Sequence, residues 1–338
     1  MLKRIALLLV AAAALALPAM AQAQPKAPPA PPALPHVGLR EVVLPDALEP
    51  AGIRTWLWYP TRVAPEPWMA NIYLVSTRTD AVPLPGRKPL VILSHGSFGY
   101  VFSLHHYAEY LAARGYIVAT PVHPHDNNAD SSGTYTDLQL VGRSRHVART
   151  IDGVLRDPVI GPLVDEQRIG MIGFSAGGFT ALTVLGALPD FARINEYCEG
   201  NRDDGVVCSG GFEGKVRIER PDWRQTPDPR VKAAVLLAPG MGFMFSRKTL
   251  QAVTRPVLMY RAASDSAIRH PYSEEWIAEN LGRKPEYHVV PGEHLVFIAP
   301  CPPGRTADVC ADPPGVDRRA VHATINAGMV DFFERTLR

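Results

Sequence analysis

The chain is poor in the features that mark several common protein classes. It has only four cysteines in 338 residues, Cys198, Cys208, Cys301 and Cys310, and no two stand in a C-x-x-C pair. The spacing of a cysteine-held zinc site is therefore missing. It has almost no charge of one sign, with 35 basic against 33 acidic residues and a formal net charge of +2. No basic cluster forms a phosphate-binding face, and the stretch Arg217 to Arg230 mixes both signs. Nucleic acid and anionic membrane are poor partners for such a surface. No internal repeat is visible. The longest apolar run, Ile5 to Leu17, covers thirteen residues, whereas a transmembrane helix needs about 20. No later segment offers a membrane span.

That short apolar run has its own meaning. It follows Met1-Leu-Lys-Arg and precedes Pro18-Ala-Met-Ala21-Gln-Ala23. A positive start, a brief apolar stretch and an Ala-x-Ala site are the pattern of a secretory signal peptide over residues 1–23, cut after Ala21 or Ala23. No cysteine stands near that site to carry a lipid, and no twin-arginine pair precedes the run. The expected location is periplasmic or secreted. Loss of Lys3 and Arg4 leaves 33 basic against 33 acidic residues. Residues 24–36, Gln24-Pro-Lys-Ala-Pro-Pro-Ala-Pro-Pro-Ala-Leu-Pro-His, then read as an extended proline-rich spacer.

Periodic structure is expected over 37–338, enough for one large domain. Val37–Leu44 and Ile53–Tyr59 read as strands, with Pro60 stopping the second, and Asn71–Ser76 as a third. Pro89–Leu93, Tyr116–Thr120, Val231–Leu237, Pro256–Tyr260 and Glu286–Val290 are continuous apolar or β-branched runs, as in strands covered on both faces. Between them lie helical patterns at Ser103–Ala113, stopped by Gly115, and within Asp137–Asp157, with Val147, Ile151, Val154 and Leu155 as the apolar stripe. Val321, Ile325, Met329 and Phe332 give the core face of a C-terminal helix. This alternation predicts an α/β fold with a mostly parallel central sheet flanked by helices. Residues 189–230, rich in charge and glycine, read as a small insertion above the strand ends.

The most informative stretch is Arg168-Ile-Gly-Met-Ile-Gly-Phe-Ser-Ala-Gly-Gly-Phe-Thr180. A buried strand runs into a helix with Gly173-Phe-Ser175-Ala-Gly177 at the joint, the G-x-S-x-G nucleophile elbow. A serine at that apex needs a base, and the base needs an acid to orient it, in the chain order Ser, acid, His. Asp265 follows the strand ending near Tyr260, and His294 follows the strand ending at Val290. Glu293 adjoins the histidine and is badly directed to orient it, and Ser266 carries no charge. Two N–H donors must meet the oxyanion, each worth about 3 kcal/mol. The backbone of Ala176, at the helix start, and of Ser97, in the loop His95-Gly96-Ser97-Phe98-Gly99, are the candidates. His95 itself reads as a loop-stabilising residue.

Together, His95-Gly96, Gly173-Phe-Ser175-Ala-Gly177, Asp265 and His294 resemble the α/β-hydrolase superfamily. Within it, the chain is similar to dienelactone-hydrolase-like esterases related to platelet-activating factor acetylhydrolase. The similarity extends to Ala108–Pro121 and to Asp228-Pro-Arg-Val-Lys-Ala-Ala-Val235, and so spans most of the mature chain. The resemblance implies ester hydrolysis by a serine triad without a cofactor. Dienelactone hydrolases use a cysteine nucleophile where this chain has Ser175, which argues against dienelactone as substrate. A more distant similarity is to cutinase-like polyester hydrolases, so the ester is a small molecule or a polymer. A reading of another class, a silent binding protein on a hydrolase scaffold, would leave the three residues unused.

Four cysteines in an exported chain suggest two disulfides, with three connectivities open. Local pairing of Cys198 with Cys208 and Cys301 with Cys310 would close loops of about ten residues. His123-Pro-His125-Asp126 has no familiar metal-site spacing and is expected to shape the cleft wall; no metal is expected. Phe98, Phe174 and Leu295, with Tyr100, Phe102 and Phe297 near them, are the candidates for an acyl pocket.

Overall fold

The computed structural model describes residues 34–208, 216–217, 220, 222–225, 227–305 and 307–338. The expected signal segment and most of the expected spacer lie outside the described residues, as does much of the second half of the insertion.

Two long strands open the domain, β1 (His36–Asp46) and β2 (Glu49–Thr61). They pair antiparallel from His36↔Thr61 onward. Pro60 does not end β2 as the sequence suggests. The neighbouring strand on its other side pairs only with Thr55 to Trp58, so there is no ladder for the missing proline N–H to break. The Pro60 carbonyl instead accepts the N–H of Leu84 at 2.8 Å. The expected third strand over 71–76 shortens to β4 (Tyr73–Val75), which forms a hairpin with β3 (Trp68–Ala70) through Asn71 at φ 57°, and β5 (Arg78–Thr79) pairs with β1.

The central strands follow the apolar runs: β6 (Lys88–Ser94), β7 (Ile117–Pro121), β8 (Val164–Phe174), β9 (Val231–Leu237), β10 (Val257–Ala262) and β11 (Glu286–Val290). The sheet order is β11-β10-β9-β8-β6-β7-β2-β1-β5, with every pair from β11 to β7 parallel. Helices α1 (His105–Ala112), α2 (Asp137–Leu140), α3 (Gly142–Arg156), α4 (Ala176–Leu185), α5 (Arg193–Gly200), α6 (Arg247–Gln251), α7 (Glu274–Asn280) and α8 (Arg318–Thr336) complete it. The single helical pattern expected over 137–157 is broken between α2 and α3. Gly142 stands at that break, where a Cβ would come within 2.9 Å of the Trp223 ring.

Strand side chains alternate between two cores because the β-strand period is two. Val91, Leu93, Ile172, Val235 and Leu237 pack on one face with α1 and α8. Leu90, Ile92, Met171, Ala234 and Leu236 pack on the other with α3, α4, α6 and α7. The predicted stripe of α8, Val321, Ile325, Met329 and Phe332, is buried as expected. So is Phe333, whose ring lies so close to β8 that a Cβ on Gly170 would meet it at 2.8 Å. Phe333→Ala is therefore expected to lower unfolding free energy in urea by about 3–5 kcal/mol. A loss below about 1 kcal/mol would contradict this packing.

Candidate functional site

β8 delivers its last residues, all buried, to the centre of the sheet and hands the chain to α4 through Ser175. Ser175 has φ 54° and ψ −117°, a backbone conformation that L-residues avoid. Its N–H donates to the Leu237 carbonyl at 2.9 Å, and its own carbonyl accepts from Gly178, Phe179 and Gly240. The flanking glycines are required by contact. A Cβ on Gly173 would stand 2.1 Å from the Gly177 carbonyl oxygen, and one on Gly177 would stand 2.0 Å from that of Ser94.

Asp265 and His294 come from the loops after β10 and β11. The two loops are tied together by the Ser264 N–H to the Gly292 carbonyl at 3.0 Å. Asp265 Oδ1 accepts the N–H groups of Ala267 and Ile268 at 2.9 and 2.8 Å, which aims Oδ2 at His294 Nδ1, 2.8 Å away. A carboxylate accepts, so Nδ1 carries the hydrogen and Nε2 is left as the basic nitrogen. Asp265 is 2% exposed and His294 13%. Glu293 is turned elsewhere, accepting the Ser266 N–H at 3.1 Å. A second acid nearby, Glu274, is buried, and burial pushes its carboxyl up to about 8, with the charge of Asp265 adding to the shift.

Ser175, Ala176, Ser97 and His294 all line one cavity of about 180 Å³. Among the described residues, the N–H groups of Ser97 and Ala176 meet no acceptor. Ala176 begins α4, where the helix dipole favours negative charge. Phe98 is in the cavity wall, 48% exposed, with φ 56°. Phe174 and Leu295 are not in that wall. Phe174 precedes the turn, so its side chain enters the core beneath His294, the ring centroids 4.9 Å apart, and packs on Phe297. Leu295 is 38% exposed outside the cavity, on the short helical turn 294–297. Tyr100 and Phe102 border a separate hollow with Trp56 and Trp68.

The apolar wall comes instead from Tyr197, Val206, Val207, Phe243, Ile268 and Tyr272. Tyr197 stacks on Phe243 at 4.2 Å and donates its hydroxyl to Asp204. Three of these residues belong to the insertion, whose path back to the site carries no pattern in the sequence. The two disulfides are Cys198–Cys208 and Cys301–Cys310, both local. The first ties α5 to the segment bearing Val206 and Val207.

His123, His125 and Asp126 do not line the cavity, contrary to expectation. His123 Nε2 is 2.8 Å from Ser94 Oγ, His125 pairs with Glu49 at 3.0 Å, and Asp126 pairs with Arg143 at 2.8 Å. They lie behind the 95–99 loop because β7 ends beside β6, one strand away from β8. Among the described residues no group of three or more His, Cys, Asp or Glu side chains is set to hold a metal ion. His95 is buried in the same place, its pKa held down at about 4 by burial, with Nδ1 facing the Gly96 carbonyl and Nε2 accepting the His123 N–H.

No family model and no curated protein matches the chain. Among solved structures, a ferulic acid esterase from Streptomyces cinnamoneus is similar, with a TM-score of 0.59 and 21% identity over 92% of each chain. The chain has the α/β-hydrolase fold. A candidate dipeptidyl aminopeptidase IV from Bacteroides ovatus is also similar, with a TM-score of 0.50 and 13% identity over 90% of this chain but only 36% of its own. In α/β-hydrolase folds the region beyond the carboxyl ends of the strands holds the site, and the cavity lies there.

The Cys198–Cys208 bridge closes a loop of 10 residues in sequence separation. Replacing both cysteines by serine is expected to lower stability by about 3 kcal/mol, read from urea unfolding. An unchanged midpoint would mean that the bridge contributes nothing to holding the insertion.

Proposed function

We propose that this protein is an exported serine hydrolase that cleaves carboxylic esters of small molecules. One observation carries the reading. A serine held in a strained turn opens into the same cavity as a histidine whose far nitrogen is hydrogen-bonded to a buried aspartate at 2.8 Å. Ser175 Oγ adds to the ester carbonyl carbon while His294 Nε2 takes its proton. Asp265 fixes the tautomer and stabilises the imidazolium. The oxyanion lies against the N–H groups of Ser97 and Ala176, which meet no acceptor among the described residues. His294 then returns the proton to the departing alkoxide, leaving an acyl group on Ser175. Water, deprotonated by the same histidine, releases the acid and restores the serine.

The substrate class rests on the cavity. At about 180 Å³ it is smaller than the roughly 300–1,000 Å³ of sites that enclose drug-sized ligands. Its apolar wall suits the hydrocarbon part of an ester. The ester-cleaving activity in the name of the Streptomyces neighbour is consistent with this chemistry. Export is supported by the N-terminal sequence pattern and by two disulfides, which persist in oxidising compartments.

Ser175→Ala is expected to lower kcat on a short p-nitrophenyl ester by roughly 10⁴–10⁶ with the fold intact. Unchanged turnover in that variant would refute the proposal. Asp265→Asn should keep the histidine in place but offer it the wrong hydrogen-bond partner, lowering kcat by about 10⁴. A loss smaller than tenfold would remove Asp265 from the triad.

A further inference from the structure

Arg143, in the first turn of α3, is the largest charged side chain sealed inside the protein among the described residues, only 1% exposed. A guanidinium is costly to bury unless each face of it is answered. The groups that answer Arg143 lie 17 to 48 residues away in the sequence, and they converge on the 95–99 loop. Its Nη1 donates to the His95 carbonyl at 2.6 Å. Its Nη2 donates to the Gly96 carbonyl at 2.9 Å and the Asp126 carbonyl at 3.2 Å, and lies 2.8 Å from Asp126 Oδ2. Asp126, itself fully buried, uses Oδ1 to accept the Phe98 N–H at 3.1 Å and the Thr134 hydroxyl at 2.9 Å. Gln139, in α2, donates its Nε2 to Ser97 Oγ at 2.6 Å.

The consequence follows from peptide geometry. The Gly96 carbonyl and the Ser97 N–H belong to one planar trans unit, so they point in opposite directions. A guanidinium that draws the Gly96 carbonyl backward necessarily sends the Ser97 N–H forward, to the side of the cavity. A cation on that carbonyl oxygen also polarises the amide and strengthens the N–H as a donor. Asp126 does the converse for the next unit. By taking the Phe98 N–H it turns that donor away from the cavity and holds Phe98 at its φ of 56°.

We infer that Arg143 is a positioning residue for catalysis: paired with Asp126, it presets and polarises the Ser97 N–H as an oxyanion donor. The inference rests on the serine-hydrolase reading and assigns a role to a residue outside the triad and the elbow. Arg143 touches neither the serine nor the cavity. It acts through the backbone of the loop.

The test separates oxyanion binding from ordinary substrate binding. Purified Arg143→Met and Arg143→Lys are compared with the wild type using a p-nitrophenyl ester, a trifluoromethyl ketone and an ether analogue of the ester. The ketone forms a tetrahedral oxyanion on the serine; the ether fills the cavity without one. Arg143→Met is expected to lower kcat by about 10²–10³ with KM changed by less than about threefold. Its affinity for the ketone should fall by the same factor, and its affinity for the ether should stay. Arg143→Lys keeps a charge against Asp126 but has no planar fork to reach both carbonyls. It should show the same selective loss to a smaller degree, and it stands in if the methionine variant does not fold. A folded Arg143→Met with kcat within about threefold of the wild type would overturn the inference. So would a parallel loss of ketone and ether affinity in either variant, which is what general loosening of the cavity gives. If the wild type neither cleaves the ester nor binds the ketone, the serine-hydrolase reading itself falls, and this inference with it.

Discussion

The arrangement depends on one backbone constraint, the forced turn at Ser175. A chain leaving a central parallel strand and entering a helix within one residue has no relaxed path, and the residue at the apex takes φ 54° and ψ −117°. Such a conformation costs about 1–3 kcal/mol and persists only where its surroundings over-determine it. Here they do. The apex N–H is tied to β9, the apex carbonyl takes the Gly178 and Phe179 N–H groups of α4, and Gly173 and Gly177 allow carbonyl oxygens to within about 2 Å of where a Cβ would be. The strain lifts the serine side chain clear of the core and sets it at the positive end of α4.

Every other part of the site is held with reference to that point. β9, β10 and β11 lie in order on one side of β8, so the loops carrying Asp265 and His294 are close enough to be joined by a backbone hydrogen bond. β6 lies on the other side and brings the 95–99 loop to the elbow, where Gly177 packs against Ser94. A mostly parallel sheet thus collects residues about 80, 90 and 120 positions apart along one edge. The insertion closes the cavity from above with Tyr197, Val206 and Val207, and a disulfide holds two of its parts together.

What could be read from the sequence follows the range of the interactions. The elbow, the strand ends that precede Asp265 and His294, and the stripe of α8 are local patterns, with glycine spacing or apolar periodicity to betray them. Of the three residues expected to line the cavity, Phe98 does so and Phe174 and Leu295 do not, because closeness to a motif in sequence does not set the direction of a side chain. Phe174 is one residue from Ser175, yet the turn between them sends it into the core. Tyr197 and Phe243 meet across 46 positions with no periodic signal. Arg143 looks like any polar residue at a helix start, and only its three-dimensional neighbours reveal a cation clamped on two loop carbonyls. His123 and Asp126 stand out in the sequence as a cluster, but the strand they follow lies on the far side of β6, which makes them buttresses instead of a wall. Pro60 reads as a stop because proline interrupts ladders, but on the side of β2 away from β1 the neighbouring strand pairs only as far as Trp58.

The central claim, that Ser175 is the nucleophile, is tested most directly by covalent labelling. The protein is treated with a fluorophosphonate, and the adduct is located by mass spectrometry of its peptides. The account predicts one phosphonyl group per chain, on the peptide containing Ser175, with esterase activity lost in step with labelling. A label on another residue, or an enzyme that stays active and unlabelled, would contradict it.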